Sequence, residues 1–209
     1  MLNINTEYLK ANLKKQHEFI CNKNGHILVF ADYWRDRTPV NYPIDGQNSK
    51  LSEEFLQKHA FDLGVQAMKW AKAQAIDHEK MGDNLYPEVH IDWGVGMTAA
   101  FTTGGDVIFE DSTTYTIGPI IKTWDDFDNL KFSLDNKWVS YALEFWHGAE
   151  SEYAEDIAVT PNVFRSPFDL ANDIRGNNLF LDLYNCPENV ERLLDLCAES
   201  IIDLDNLWC

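Results

Sequence analysis

The sequence predicts an α/β fold built from parallel βαβ units, and three features carry that expectation. Short apolar runs at residues 27–31, 85–91 and 157–161 suit buried strands and lie beside turn-forming residues. Long stretches with three-to-four apolar spacing stand between them, above all the one from Ser52 to about Met81. Strands that alternate with long helices in this way pair side by side in parallel.

Taken in order, Asn5 or Thr6 starts a first helix to about Cys21, with Tyr8, Leu9, Leu13 and Phe19 as a loose apolar face. Asn24-Gly25 ends it ahead of the strand ILVFA at 27–31. The stretch from Asp32 to Lys50 holds Pro39, Pro43 and Gly46 and reads as a long irregular loop, a type that often carries function. Ser52 then opens the long helix. Phe55, Leu56, Phe61, Val65, Met68, Ala71 and Ala75 make its core stripe, His78 and Glu79 face solvent, and Gly82 closes it.

The second strand, within 85–91, runs into the glycine-rich turn Trp93-Gly94-Val95-Gly96, and Met97 to Phe101 forms one or two helical turns. Val107 to Phe109 and Tyr115 to Ile117 form a small antiparallel excursion. Trp124 to Leu130 and Trp138 to Ala154 are helical, and the third strand follows at 157–161. A short helix ends at Gly176. The last helix starts near Pro187, where Glu188 favours its N-terminus, and buries Val190, Leu194, Cys197, Ile201 and Leu204.

The totals bound the function. A chain of 209 residues, 45% hydrophobic and 13% aromatic, can bury the core of one globular domain. Its parts read as an N-terminal helix (1–25), a region of strands, long helix and antiparallel insertion (26–165), and a turn with C-terminal helices (166–209). No run approaches the ~18 apolar residues of a membrane span, and the polar opening residues lack a secretory core, so a cytoplasmic protein is expected. A formal charge of −17, from 34 acidic and 17 basic residues, repels nucleic acid and anionic membranes.

Cys21, Cys186, Cys197 and Cys209 form no CxxC pair, so reduced thiols are expected, with neither a disulfide framework nor a metal site. Nucleotide-binding glycine loops, a Gly-x-Ser-x-Gly elbow and a His-Glu-x-x-His helix are all absent from the sequence.

One segment points further. Ser166 to Ile201 reads SPFDLANDIRGNNLFLDLYNCPENVERLLDLCAESI. Its Pro167-Phe168-Asp169-Leu170 turn, and Asp182-Leu183-Tyr184 ahead of Pro187-Glu188, resemble the uroporphyrinogen decarboxylase superfamily. That superfamily includes tetrapyrrole decarboxylases and zinc-dependent methyltransferases acting on corrinoid proteins or thiols. The resemblance implies the N-terminal portion of a (β/α)8 TIM-type barrel, here with an N-terminal helical extension. Such a barrel has eight strands and about 250 residues. The three strands read here imply a truncated barrel or one half of a complementing pair, with a complete small open α/β fold as the alternative.

The resemblance also proposes site residues. Arg35 and Arg37 follow the first strand, where family decarboxylases grip substrate carboxylates with two arginines. Their spacing is shorter than the family's and Asp36 lies between them, so a surface ion-pair cluster is the other reading. After the second strand, either Asp92 or His90 takes the catalytic place, depending on register. After the third, Asn162, Ser166 and Phe168 stand near the substrate.

The tyrosine that orients the catalytic aspartate in the decarboxylases is missing from Ala171-Asn172-Asp173-Ile174. This favours a methyltransferase-like or uncharacterised branch with a corrinoid or tetrapyrrole-type partner over a porphyrinogen carboxy-lyase. A reading of another class is an inactive incomplete barrel. The His-x-Cys zinc pattern of the methyltransferases does not occur in the chain. No cofactor is therefore expected within it, and zinc belongs to a full-length relative. The expected partners are a small-molecule or corrinoid-protein substrate, and a second barrel half or a second copy in a homodimer.

Overall fold

The structure is a computed structural model and describes residues 5–22, 42–44, 47–49, 51–84, 86–91, 93–110, 113–152, 157–160 and 165–208. The expected strand at 27–31, and the candidates Arg35, Arg37, Asp92 and Asn162, lie outside the described residues.

Helix α1 (Thr6–Asn22) comes first, followed by strands β1 (Tyr42–Ile44) and β2 (Gln47–Ser49). These strands pair antiparallel, Tyr42 opposite Ser49, inside the stretch whose prolines and glycine predict an irregular loop. Helix α2 (Glu53–Met81) starts as its chemistry dictates. The Ser52 side chain accepts from the Phe55 amide at 3.1 Å. Gly82 ends the helix in the left-handed conformation at φ 69°.

Strand β3 (Glu88–His90) leads to α3 (Met97–Thr103). The antiparallel pair β4 (Val107–Phe109) and β5 (Thr114–Thr116) follows, with Val107 opposite Thr116. After α4 (Trp124–Phe127) comes α5 (Lys137–Ser151), capped by the Asn136 side chain. Strand β6 (Ala158–Thr160) pairs parallel with β3, Glu88 opposite Ala158 and His90 opposite Thr160. Three helices complete the chain: α6 (Pro167–Arg175), α7 (Asn178–Asn185) and α8 (Pro187–Trp208). The class is thus mixed α/β and mostly helical, with parallel pairing confined to two short strands among the described residues.

Helices α2 and α5 share the most extensive interface between described elements. It is tight because each presents a glycine to the other's backbone: a Cβ on Gly64 would overlap the Phe145 carbonyl, and one on Gly148 the Phe61 carbonyl. Around this crossing lie Leu56, Met68, Trp93, Phe101, Trp138 and Phe145, all buried. Trp93 meets Phe145 edge-on at 6.0 Å, and the Trp138 indole donates to the Gly105 carbonyl at 2.8 Å. A second cluster joins α6, α7 and α8 through Ile121, Leu170, Ile174, Leu179, Leu193 and Cys197. Burial there pushes the Cys197 thiol up to about 12, which leaves it a packing group rather than a nucleophile.

Several side chains depart from the sequence expectation. Phe61 is exposed, while Leu63 and Gly64 take the buried positions at that level of α2. Leu13 and Phe19 on α1 are exposed too. His78 does not face solvent: it is buried, and its Nδ1 donates to the Asp83 carboxylate at 2.7 Å. The reason is tertiary. Helix α1 covers the end of α2, where the Tyr8 hydroxyl lies 2.9 Å from the His78 carbonyl and 2.5 Å from that of Asp83. Asn12 and Gln16 donate to the carbonyls of Asp83 and Asn84, and Asn5 donates to Glu79. These donors bind the carbonyls of Asp83 and Asn84 in the turn that follows α2, together with the last turn of the helix itself.

Candidate functional site

Parallel strands present the turns at their carboxyl ends to ligands, because the following helices begin there with free amide groups. In this chain that place is the end of the β3–β6 pair. His90 is the last residue of β3 and is half-buried. Ile91 and Trp93, just beyond it, are fully buried. The Trp93 indole N–H is buried with no acceptor among the described residues, an unusual state for a group that ordinarily finds one.

The chain then enters α3, whose buried Thr98 lies 3.5 Å from the backbone amide of Arg165. This contact joins α3, the helix that follows β3, to the backbone just ahead of α6. Arg165 in turn governs the start of α6. Its guanidinium reaches Asp169 at 3.3 Å and Asp173 at 3.5 Å, one helical turn apart. Ser166 and Asp169 form a capping box: the Ser166 hydroxyl accepts from the Asp169 amide at 3.2 Å and donates to the Asp169 carboxylate at 2.9 Å. Those bonds, with Arg165 beside them, hold Asp169 below its ordinary carboxylate range, the Ser166 bond contributing most.

Asp173 goes the other way. Burial pushes its carboxyl up, Arg165 opposes this, and Asp169 adds to it. Among the described residues its Oδ2 has the Arg165 charge at 3.5 Å but no donor aligned for a hydrogen bond, and the neighbouring Asn172 Oδ1 is buried without one. A raised carboxyl pKa means that the native state holds the proton more tightly than the unfolded chain does. The cost to stability is therefore full above the native pKa and vanishes below the unfolded one. Replacing Asp173 with asparagine is expected to raise the melting temperature near pH 7 and to leave it unchanged near about pH 3. Calorimetry of the two proteins across that range checks it; a lower midpoint at neutral pH would mean that the Arg165 attraction outweighs desolvation.

The expected site residues therefore fall in different places. His90 stands at the strand end. The Ser166 hydroxyl is used in the capping box, and Phe168 lies at the surface against Phe180, ring centroids 5.8 Å apart. Neither Arg165 nor Asp173 stands out in the sequence as a site residue. The i, i+4 spacing of Arg165, Asp169 and Asp173 is visible in the sequence, but it straddles the boundary between strand exit and helix.

The ladder of one arginine and two aspartates makes the start of α6 locally acidic, suited to a ligand that donates hydrogen bonds and ill suited to one rich in carboxylates. Among the described residues no three His, Cys, Asp or Glu side chains converge as a metal-binding group. No described helix is long and apolar enough to cross a membrane. No family model, curated protein or solved structure matches the chain.

Proposed function

We propose that the chain is a uroporphyrinogen decarboxylase-family protein of the methyltransferase-like or uncharacterised branch, holding a corrinoid or related tetrapyrrole-type molecule at the carboxyl end of β3 and β6. The observation that carries this is the in-register parallel pairing of the two strands, His90 opposite Thr160, with α3 and the start of α6 joined through Thr98 and Arg165. In this reading His90 or Asp92 meets the reacting part of the ligand. Arg165 holds α6 at the mouth as a positioning residue.

Charge separates the two branches of the family. A porphyrinogen carries many carboxylates, and here the one described cation at the strand ends, Arg165, is already shared between two aspartates. A net charge of −17 adds a repulsive field. Both features favour the corrinoid over the porphyrinogen.

Equilibrium dialysis against hydroxocobalamin and against uroporphyrin, an air-stable polycarboxylate of the same ring class, tests the reading. The expected result is saturable corrinoid binding, little uroporphyrin binding, and a corrinoid affinity about tenfold weaker in His90→Ala, equivalent to about 1.4 kcal/mol. Preference for uroporphyrin would move the chain to the carboxy-lyase branch. Binding of neither, or binding that His90→Ala and Asp92→Ala both leave intact, would overturn the proposal.

A further inference from the structure

Helix α7 is built inside out. Its sequence NLFLDLYN contains one charged residue, Asp182, and that residue faces inward, its carboxylate 2.7 Å from the Arg175 guanidinium with both side chains buried. Leu179 is the other buried position. The remaining apolar side chains, Phe180, Leu181, Leu183 and Tyr184, are exposed, Leu181 at 63% and Tyr184 at 90%. Phe168 on α6 extends the same surface through its contact with Phe180. A contiguous group of large apolar side chains around an ion pair turned to the interior marks an interaction surface rather than scattered surface leucines.

The surroundings identify the partner's chemistry. The sequence contains no lysine after Lys137, and from there on fourteen acidic residues face three arginines. Each arginine is already engaged: Arg165 with Asp169 and Asp173, Arg175 with Asp182, and Arg192 with Asp128. Helix α8, which follows α7 after one residue, exposes Glu188, Glu191 and Asp195 in its first turns. The apolar group thus lies in a one-signed negative setting. A second copy would bring the same charge to the same place, and an anionic membrane would be repelled.

We propose that the exposed face of α7, with Phe168, docks an amphipathic helix of another protein whose apolar stripe is flanked by lysine or arginine. Apolar contact supplies the affinity, and the acidic field speeds and orients the encounter. This inference is independent of the ligand assigned to the strand ends.

Fluorescence anisotropy tests it with a labelled leucine–lysine amphipathic helix of about 18 residues and its leucine–glutamate counterpart. The lysine peptide is expected to bind, with affinity falling at least about tenfold between about 50 mM and about 500 mM salt. The glutamate peptide is expected not to bind. The double variant Leu181→Ser/Tyr184→Ser is expected to lose at least about tenfold in affinity while melting as the wild type does. Hydrogen exchange on the wild-type protein, with amide protection at 179–185 on adding the lysine peptide, reads the same contact without any variant.

Equal binding by the double variant, or protection elsewhere, would overturn the proposal. So would light scattering that shows a dimer dissolved by the same two substitutions, or wild-type binding to phosphatidylserine vesicles that those substitutions abolish.

Discussion

Gly148→Ala is expected to lower stability by at least about 3 kcal/mol in a urea titration, and Gly64→Ala by a similar amount. The sign is the informative part. In the interior of a helix the same change ordinarily stabilises by roughly 0.5–1 kcal/mol, because glycine gives up more chain entropy on folding. Here the added methyl group has nowhere to go: on Gly148 it meets the Phe61 carbonyl, and on Gly64 the Phe145 carbonyl, both parts of a rigid helical backbone. Relief requires α2 and α5 to separate along the whole crossing, which loosens the packing of Trp93, Trp138 and Phe145. Gly82→Ala is the control. A Cβ there meets no atom among the described residues, so only the left-handed backbone resists, at about 1–2 kcal/mol. If all three alanine variants melted alike, the backbone-to-backbone contact would be refuted.

Arg175→Met is expected to cost about 3–5 kcal/mol, because it leaves the Asp182 carboxylate buried without its counter-charge. Arg175 also donates to the carbonyls of Ile121 and Lys122 and lies 5.0 Å from the Trp124 ring, so it ties α6 and α7 to the segment ahead of α4. Adding Asp182→Leu to that variant removes the unpaired charge and is expected to restore most of the loss. About 1–2 kcal/mol should remain missing for the carbonyl groups left without a donor. Chemical denaturation of the wild type and the three variants forms a double-mutant cycle. A double variant no more stable than Arg175→Met alone would mean that the arginine acts through its packing and not through the ion pair.

The parts of this fold legible in the sequence are those whose cause is local. Ser52 as a helix start, Gly82 and Gly176 as stops and Pro187 as a first-turn residue act within a few residues of themselves, so the limits of α2, the end of α6 and the start of α8 can be read directly. The parallel pairing of β3 with β6 follows from alternating strands and helices.

What escaped depends on a distant partner. His78 looks like an ordinary surface residue near a helix end until α1, about seventy positions away, supplies Tyr8 and Asn12 to cover it. Gly64 and Gly148 carry no mark of their own, since each matters only against the other helix. In α7 the pattern misleads outright: leucine and phenylalanine point outward because Arg175 draws the single aspartate in. At the candidate site, His90 could be placed from its strand, whereas the Arg165 ladder needed the helix that follows to bring its two aspartates onto one face.

The attachment of α1 has a thermal consequence. Four polar side chains, Asn5, Tyr8, Asn12 and Gln16, fasten it to the end of α2, and Leu9 is the one fully buried apolar side chain it contributes among those described. Releasing such a helix exposes little hydrocarbon, so its heat-capacity change is small and its binding enthalpy varies little with temperature. The α2–α5 core is the opposite case and weakens on cooling. Cold should therefore loosen the interior of this protein before it loosens the N-terminal helix.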